Sequence, residues 1–223
     1  MLCYARSKFE EYKMPDFSFE NKYGRNVVGI DEAGRGPWAG PVVAGAVMFK
    51  NQDCNHELVL MLDDSKKLSA KKREKIYQML FEEQNKGNLV IGIGQAEVEE
   101  IDNLNILNAT FLAMDRAFEQ LNTAPDMVLI DGNQKPKTIH SPCKTLVKGD
   151  AKSCSIAAAS IVAKVYRDNL MKNLAEKYPF YGFEKNAGYG TKAHIEGLKS
   201  HGVTSIHRRS YKPIQEFLAS DRK

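Results

Sequence analysis

Val27-Val28-Gly29-Ile30-Asp31-Glu32-Ala33-Gly34-Arg35-Gly36 reads as a buried strand that ends in two adjacent carboxylates and a glycine-flanked arginine. Successive strand side chains point to opposite faces, so Asp31 and Glu32 cannot both enter one core. Acids at a strand end imply a cation, while Gly34 and Gly36 let main-chain N–H groups come close to an anion such as phosphate. Carboxylates beside a phosphate grip point to metal-assisted chemistry on phosphate esters. Alone, an Asp-Glu pair after a strand is ordinarily a solvated turn, so the rest of the chain has to carry the reading further.

Within this stretch Val27–Ala33 reads as the strand, and outward from it Val42–Phe49 reads as a second, with Pro37 and Pro41 marking the turn between the two. Leu89–Ala96, Met127–Ile130 and Lys144–Val147 read as further strands. Ser69 can cap a helix whose apolar face is Ile76, Met79 and Leu80. Leu104 to Leu121 carries a helical stripe of core residues. Ala151 to about Tyr178 is Ala-rich and helical, and its small residues (Ala157, Ala158, Ala159, Ser160, Ala163) allow close packing. The order of elements predicts an α/β three-layer domain around a mixed central sheet. Residues 1–26 read as an N-terminal extension, 27–178 as the core and 179–223 as a helical C-terminal region. Ligands gather at strand carboxyl ends in such sheets. Asp31 and Asp131 end strands there, Asp150 opens a helix beside one, and the acids are predicted to converge.

The bulk properties permit this reading without demanding it. The chain has 223 residues, enough for one packed domain, and 43% hydrophobic with 27% charged residues is ordinary soluble composition. A net charge of +4 allows a nucleic-acid partner. The cysteines (Cys3, Cys54, Cys143, Cys154) are scattered, with no zinc spacing, and are expected as free thiols in a reducing compartment. The longest apolar stretch is too short to span a bilayer, and the first residues lack a signal-peptide apolar region. A cytoplasmic protein without a membrane partner is expected. The five histidines are dispersed and no Ser-His-Asp arrangement competes for catalysis.

Asp31, Glu32, Asp131 and Asp150 in one cleft would repel strongly unless cations sat among them. Hard divalent ions with oxygen ligands suit such a set, and two of them about 3.5–4 Å apart can clamp an in-line displacement at phosphorus.

At these residues the chain resembles ribonuclease HII, the type 2 ribonuclease H family, from about Val27 to Pro213. The motifs that carry the resemblance are Gly29–Pro37 with Ala39-Gly40-Pro41-Val42-Val43, Asp64-Ser65-Lys66-Lys67-Leu68-Ser69, and Ile130-Asp131-Gly132-Asn133. Lys148-Gly149-Asp150-Ala151-Lys152-Ser153, Gly188-Tyr189-Gly190-Thr191 and His207-Arg208-Arg209-Ser210 complete them, all in order. The resemblance implies a ribonuclease H-like three-layer fold with a helical C-terminal extension. It implies an endonuclease that cuts the RNA strand of RNA–DNA hybrids, and duplex DNA 5′ of embedded ribonucleotides, leaving 3′-hydroxyl and 5′-phosphate ends. Asp31, Glu32, Asp131 and Asp150 become the catalytic, metal-binding set for two Mn²⁺ or Mg²⁺ ions. Gly34, Arg35 and Gly36 would grip the ribonucleotide, where a 2′-hydroxyl separates RNA from DNA. Tyr189 would stack on the sugar at the RNA-to-DNA junction. Lys66, Lys67, Lys152, Ser153, Arg208 and Arg209 would contact backbone phosphates.

Some features depart from the family pattern. Trp38 stands where a smaller aliphatic is commoner, and residues 1–26 have no assigned role. The Gln215-Glu216-Phe217-Leu218 segment lacks the aromatic pair of a clamp-binding peptide, so no sliding-clamp partner is expected, and nothing suggests more than a monomer. The type 3 enzymes share the fold but carry a Gly-Lys-Gly turn and an extra N-terminal domain. Arg35 and the short extension argue against them. A non-catalytic hybrid-binding module is the other alternative, and the presence of all four acids argues against it.

Overall fold

The computed structural model describes residues 14–220, so Cys3 and the first half of the N-terminal extension lie outside it. In chain order the elements are α1 (Ser18–Tyr23), β1 (Val27–Ala33), β2 (Val42–Phe49), α2 (His56–Met61), α3 (Ala70–Asn85), β3 (Leu89–Ala96), α4 (Val98–Leu104) and α5 (Ile106–Glu119). They continue with β4 (Met127–Asp131), β5 (Cys143–Leu146), α6 (Cys154–Lys177), α7 (Phe183–Asn186), α8 (Lys192–His201) and α9 (Lys212–Ser220). The sheet order is β3-β2-β1-β4-β5. β1 and β3 run antiparallel to β2, while β4 runs parallel to both β1 and β5. The mixed three-layer α/β architecture is the one expected.

Alternation along β1 decides which layer each residue meets. Val28 and Ile30 pack with Ala44, Ala46 and Met48 against Ala109, Ala113, Met114 and Ala117 of α5. On the other face, Val47 and Phe49 join Ile76 and Leu80 of α3 and the small side chains of α6. α6 lies close to the sheet because β1 and β2 are cut away beneath it. A Cβ on Gly29 would fall 2.2 Å from the Ser155 carbonyl carbon, and one on Gly45 2.5 Å from the Ala159 oxygen. Any side chain there would lift α6, and with it the turn that carries Asp150. The third cluster, around Tyr181, Phe183, Leu198 and Ile214, joins α7–α9 to Ala39 and to Met171 near the end of α6.

Three expectations change. The helical stripe expected from Leu104 to Leu121 is α5 from Ile106 onward, with Leu104 ending the separate α4, because Asn105 takes a positive φ of 66° and its side chain accepts from Leu107 and Asn108 N–H to cap α5. α6 begins at Cys154 rather than Ala151, since Ser153 is its N-cap and residues 149–151 form a short 3-10 turn. The extension also has a structural role. The buried Glu20 carboxylate accepts from Ser153 Oγ (2.6 Å) and Ser155 N–H (2.9 Å), placing an anion at the positive end of α6. Among the described residues, no helix is long and apolar enough to cross a membrane. Cys54, Cys143 and Cys154 are free thiols.

Candidate active site

Register brings the acids together. Ile30 pairs with Ile130 across parallel strands, so Asp31 and Asp131 follow on neighbouring strands. Asp131 Oδ1 accepts from Gly149 N–H at 2.6 Å, tying the end of β4 to the turn that holds Asp150. Asp31 is 5% exposed and Asp150 6%, while Glu32 and Asp131 are half-buried. Burial raises the Asp31 carboxyl well above the usual carboxylate range. The charges of Glu32 and Asp131 push it the same way, and a hydrogen bond from Ser160 works against them. Glu32 is raised by burial, partly offset by the Arg35 guanidinium. Burial, then the charges of Asp64 and Asp131, push Asp150 up to about 6. Burial opposes the charge on Lys66, but the fields of Asp31, Asp150, Asp64 and Asp131 raise its pKa nonetheless. Four acids therefore crowd into one strained electrostatic environment.

That donor set fits a hard divalent cation. All the donors are carboxylate oxygens, burial and neighbouring charge raise Asp31, Glu32 and Asp150, and a bound cation would relieve that cost. Among the described residues no three His, Cys, Asp or Glu side chains form a ready-made metal cage. An open set suits Mg²⁺-type ions, which keep waters and share ligands with substrate phosphates.

Beside the acids runs a cleft of about 420 Å³, lined by Gly34, Arg35 and Gly36, by Ser65 and Lys66, and by Tyr189. Arg35 is largely exposed and reaches Glu32 at 3.4 Å. Gly34 has φ +101°, and a Cβ there would meet Arg167 Nε at 2.0 Å, so the position requires glycine. Tyr189 is 49% exposed, and its ring sits against Gly36, where a Cβ would lie 3.3 Å from Cε1. Three further cations line the cleft that the sequence reading did not select: Arg73, Lys164 and the buried Arg167.

Not every expected phosphate contact reaches this cleft. Ser153 is fully buried, its hydroxyl donating to Glu20 and accepting from Ile156 N–H, so it caps a helix instead of meeting a phosphate. Arg208 is also fully buried and spends its guanidinium on main-chain oxygens: Gly40 (2.9 Å), Arg35 (3.0 Å), Gly34 (2.6 Å) and Pro41 (3.2 Å). Lys152 is exposed and donates to Val147 O. Lys67 is exposed beside Asp63. Arg209 is exposed, its main-chain N–H held by Asp102.

Behind the cleft lies polar machinery built of pairs. Arg167 donates to Pro41 O (2.9 Å), Ala39 O (3.1 Å) and Ala187 O (2.9 Å), bridging the loop after β1 to the loop that carries Tyr189. His194 and His207, both fully buried, meet Nε2 to Nε2 at 3.1 Å. Their tautomers follow from the chain of partners. The Thr204 main-chain N–H can only donate, so His207 Nδ1 accepts it (3.0 Å) and the proton sits on His207 Nε2. That N–H donates to His194 Nε2, leaving the His194 proton on Nδ1, which donates to the Tyr189 carbonyl at 3.0 Å. Burial pushes both imidazoles down, His207 to about 4, so both are neutral at pH 7.

Comparison with known proteins agrees with the geometry. The family model for Ribonuclease HII matches residues 28–214. A ribonuclease HII of Gluconobacter oxydans is 50% identical over 208 residues, 93% of this chain and 98% of that protein. The ribonuclease H2 of Pyrococcus horikoshii superposes with a TM-score of 0.71 at 28% identity, covering 89% of this chain and 99% of that one. The Archaeoglobus fulgidus enzyme solved as a PCNA:RNase HII complex gives 0.65 at 25% identity, covering 84% and 95%. A Bst-RNase HIII solved with Mn²⁺ gives 0.68 at 16% identity, covering 91% of this chain but 73% of that one, and shares the fold.

Proposed function

The chain belongs to the ribonuclease HII family and is a ribonuclease H endonuclease, and from that premise we propose that Asp31, Glu32, Asp131 and Asp150 hold two divalent ions and hydrolyse a phosphodiester beside a ribonucleotide. The observation that carries the proposal is the burial of Asp31 and Asp150 beside other carboxylates, which raises both: burial first, then the charges of Glu32 and Asp131 on Asp31 and of Asp64 and Asp131 on Asp150. Mg²⁺ or Mn²⁺ bound there supplies Lewis-acid activation of water and neutralises charge developing on the phosphate. The chain's own groups do the rest. Lys66 presents a cation to the phosphate from the mouth of the acid cluster. Gly34, Arg35 and Gly36 face the ribonucleotide with main-chain N–H groups and a guanidinium. Tyr189 offers an exposed ring to a sugar. Lys67, Lys152 and Arg209 supply more diffuse attraction to backbone phosphates.

The substrates are the RNA strand of RNA–DNA hybrids and duplex DNA with embedded ribonucleotides. Incision falls 5′ of the ribonucleotide and leaves a 3′-hydroxyl and a 5′-phosphate. The working unit is a cytoplasmic monomer whose C-terminal region, 179–223, flanks the substrate. A clamp-binding peptide is not assigned, because Ile214, Phe217 and Leu218 of α9 pack onto the C-terminal cluster.

Asp131→Asn and Asp150→Asn are the test. Both variants should lose cleavage of a labelled duplex containing one ribonucleotide while still binding an RNA–DNA hybrid. Wild-type turnover in both would remove the acids from the chemistry. Cleavage confined to long ribonucleotide runs would instead indicate type 3 specificity.

A further inference from the structure

Two substrate-facing loops, 34–41 and 186–190, share one buried support. Trp38 N–H donates to Gly188 O (2.8 Å), Gly40 N–H to Ile206 O (2.8 Å), and Arg208 N–H to Trp38 O (2.8 Å). Arg167 and Arg208 sit in this core, and among the described residues no carboxylate lies within ion-pair distance of either. A buried guanidinium without a carboxylate is costly unless its planar fork is filled, and here main-chain oxygens fill it. A lysine offers a point charge and cannot span the same oxygens.

The direction of these hydrogen bonds matters. In a trans peptide the carbonyl of one residue and the N–H of the next point opposite ways. Every peptide bond among the described residues is trans. Arg208 draws the Gly34 and Arg35 oxygens inward, and the Tyr211 hydroxyl adds a second donor to Arg35 O. The N–H groups of Arg35 and Gly36 are thereby turned away from Arg208, and residues 34–36 line the cleft. Among the described residues neither N–H has an acceptor. They are two preset donors with no internal use.

The second loop is set from the neighbouring residue. His207, held by Thr204, passes its Nε2 proton to His194, which gives its Nδ1 proton to the Tyr189 carbonyl. The carbonyl end of the Tyr189 peptide is thus anchored while its ring stays exposed.

We infer that Arg208 and the His207–His194 pair are positioning residues. Arg208 aims the Arg35 and Gly36 N–H groups at the ribonucleotide, and the pair holds Tyr189 at a fixed distance from them. The inference rests on the ribonucleotide contacts assigned above and goes beyond them. It moves Arg208 from a phosphate contact to the support that gives the reader its shape, and it assigns a role to two histidines that touch no substrate. Reading one 2′-hydroxyl requires donors placed to within a fraction of an ångström, since a misplacement of about 1 Å can cost about a hundredfold in rate.

The test compares wild type with Arg208→Lys, His194→Leu and His194→Gln. The readouts are single-turnover cleavage, thermal stability, and affinity in Ca²⁺ for duplexes with and without a single ribonucleotide. Arg208→Lys and His194→Leu should each lower cleavage at the ribonucleotide by ~10–100-fold. Their preference for the ribonucleotide duplex should fall toward one, with affinity for all-DNA duplex held within about twofold. His194→Gln keeps one acceptor and one donor and should recover most of the loss. A folded Arg208→Lys protein with wild-type preference overturns the inference, as does a His194→Gln protein no better than His194→Leu. Should Arg208→Lys fail to fold, Tyr211→Phe decides: it removes one donor from Arg35 O and one acceptor from Arg208 Nη1, and should lower the preference about threefold, whereas no change overturns the inference. Wild type without any ribonucleotide preference would count against the assigned contacts themselves, a failure distinct from a preference that survives Arg208→Lys.

Discussion

The floor of the cleft and its rear wall are built on opposite principles. On the floor, Asp31, Glu32, Asp131 and Asp150 crowd like charges together, and Asp31 and Asp150 are pushed toward their protonated forms. In the wall, the charges of Arg167 and Arg208 are just as buried, but main-chain oxygens fill their donor sites, and the His194–His207 chain is closed at both ends. Unrelieved repulsion marks where something from outside has to bind. Complete satisfaction marks where nothing should move. The proposed chemistry, metal-assisted cleavage that senses a single hydroxyl, needs both, a floor completed by cations and substrate and a wall that keeps its geometry without them.

Breaking the floor should have the largest effect. Asp131→Asn or Asp150→Asn should lower single-turnover cleavage by roughly a thousandfold or more, because each removes charge that the transition state needs. A loss below tenfold would place that acid outside the reaction. Next comes the wall. Arg167→Met leaves the Ala39, Pro41 and Ala187 oxygens without their donor, which should cost about 3–5 kcal/mol by urea unfolding. A cost under 1 kcal/mol would show that the loops do not depend on it.

The third prediction is smaller and concerns pH. His207 is held at about 4 in the fold, below the ordinary histidine value of 6.5. The unfolded chain therefore binds the proton first as pH falls. Stability from this group is fully present above about 6.5 and drains away toward 4, by about 3 kcal/mol. Comparing wild type with His207→Gln between pH 7.5 and 4.5 isolates the effect, since the variant should lack that part of the slope. Smallest is a gain. The Asp150 carboxyl is raised in the fold to about 6, so the metal-free protein loses stability progressively as pH rises from about 3.8 to 6. Asp150→Asn should stabilise the metal-free protein by about 1–2 kcal/mol at pH 7.5, and the difference should shrink as pH falls below about 6 and vanish only below about 3.8. One substitution would thus raise stability and abolish turnover.

The floor was legible in the sequence and the wall was not. β1, β2 and β3 have the expected limits because alternating or continuous apolar runs bounded by Gly and Pro report local geometry directly. Asp31 and Asp131 are legible because each stands at the end of such a run, and Asp150 because it opens the helical segment that follows one. The wall is made of long-range pairings of polar groups with main-chain oxygens, which leave no periodic trace. Arg208 and Arg209, adjacent in sequence, are both expected at backbone phosphates, yet one is fully buried and the other exposed. Ser153 was placed at a helix start, correctly for its position, but a helix start offers a serine two uses, and Glu20 takes the one that phosphate was expected to take. One signal for Arg167 was present. It follows Ser160 and Ala163 at helical spacing and precedes Met171, so an arginine stands in a stripe of small and apolar residues on a packed face. Asn105 likewise carried its signal, an asparagine one residue before a new apolar stripe.

The central claim is that the crowded acids cut, with a divalent cation, where the rigid wall finds one 2′-hydroxyl. The most direct measurement uses two labelled duplexes identical except for that hydroxyl, incubated with wild type in Mg²⁺ or Mn²⁺ and again with excess chelator, with the product ends mapped. A single metal-dependent cut 5′ of the ribonucleotide, leaving a 3′-hydroxyl and a 5′-phosphate, with the all-DNA duplex intact, is the expected result. Equal cutting of both duplexes, or cutting that survives the chelator, would contradict it.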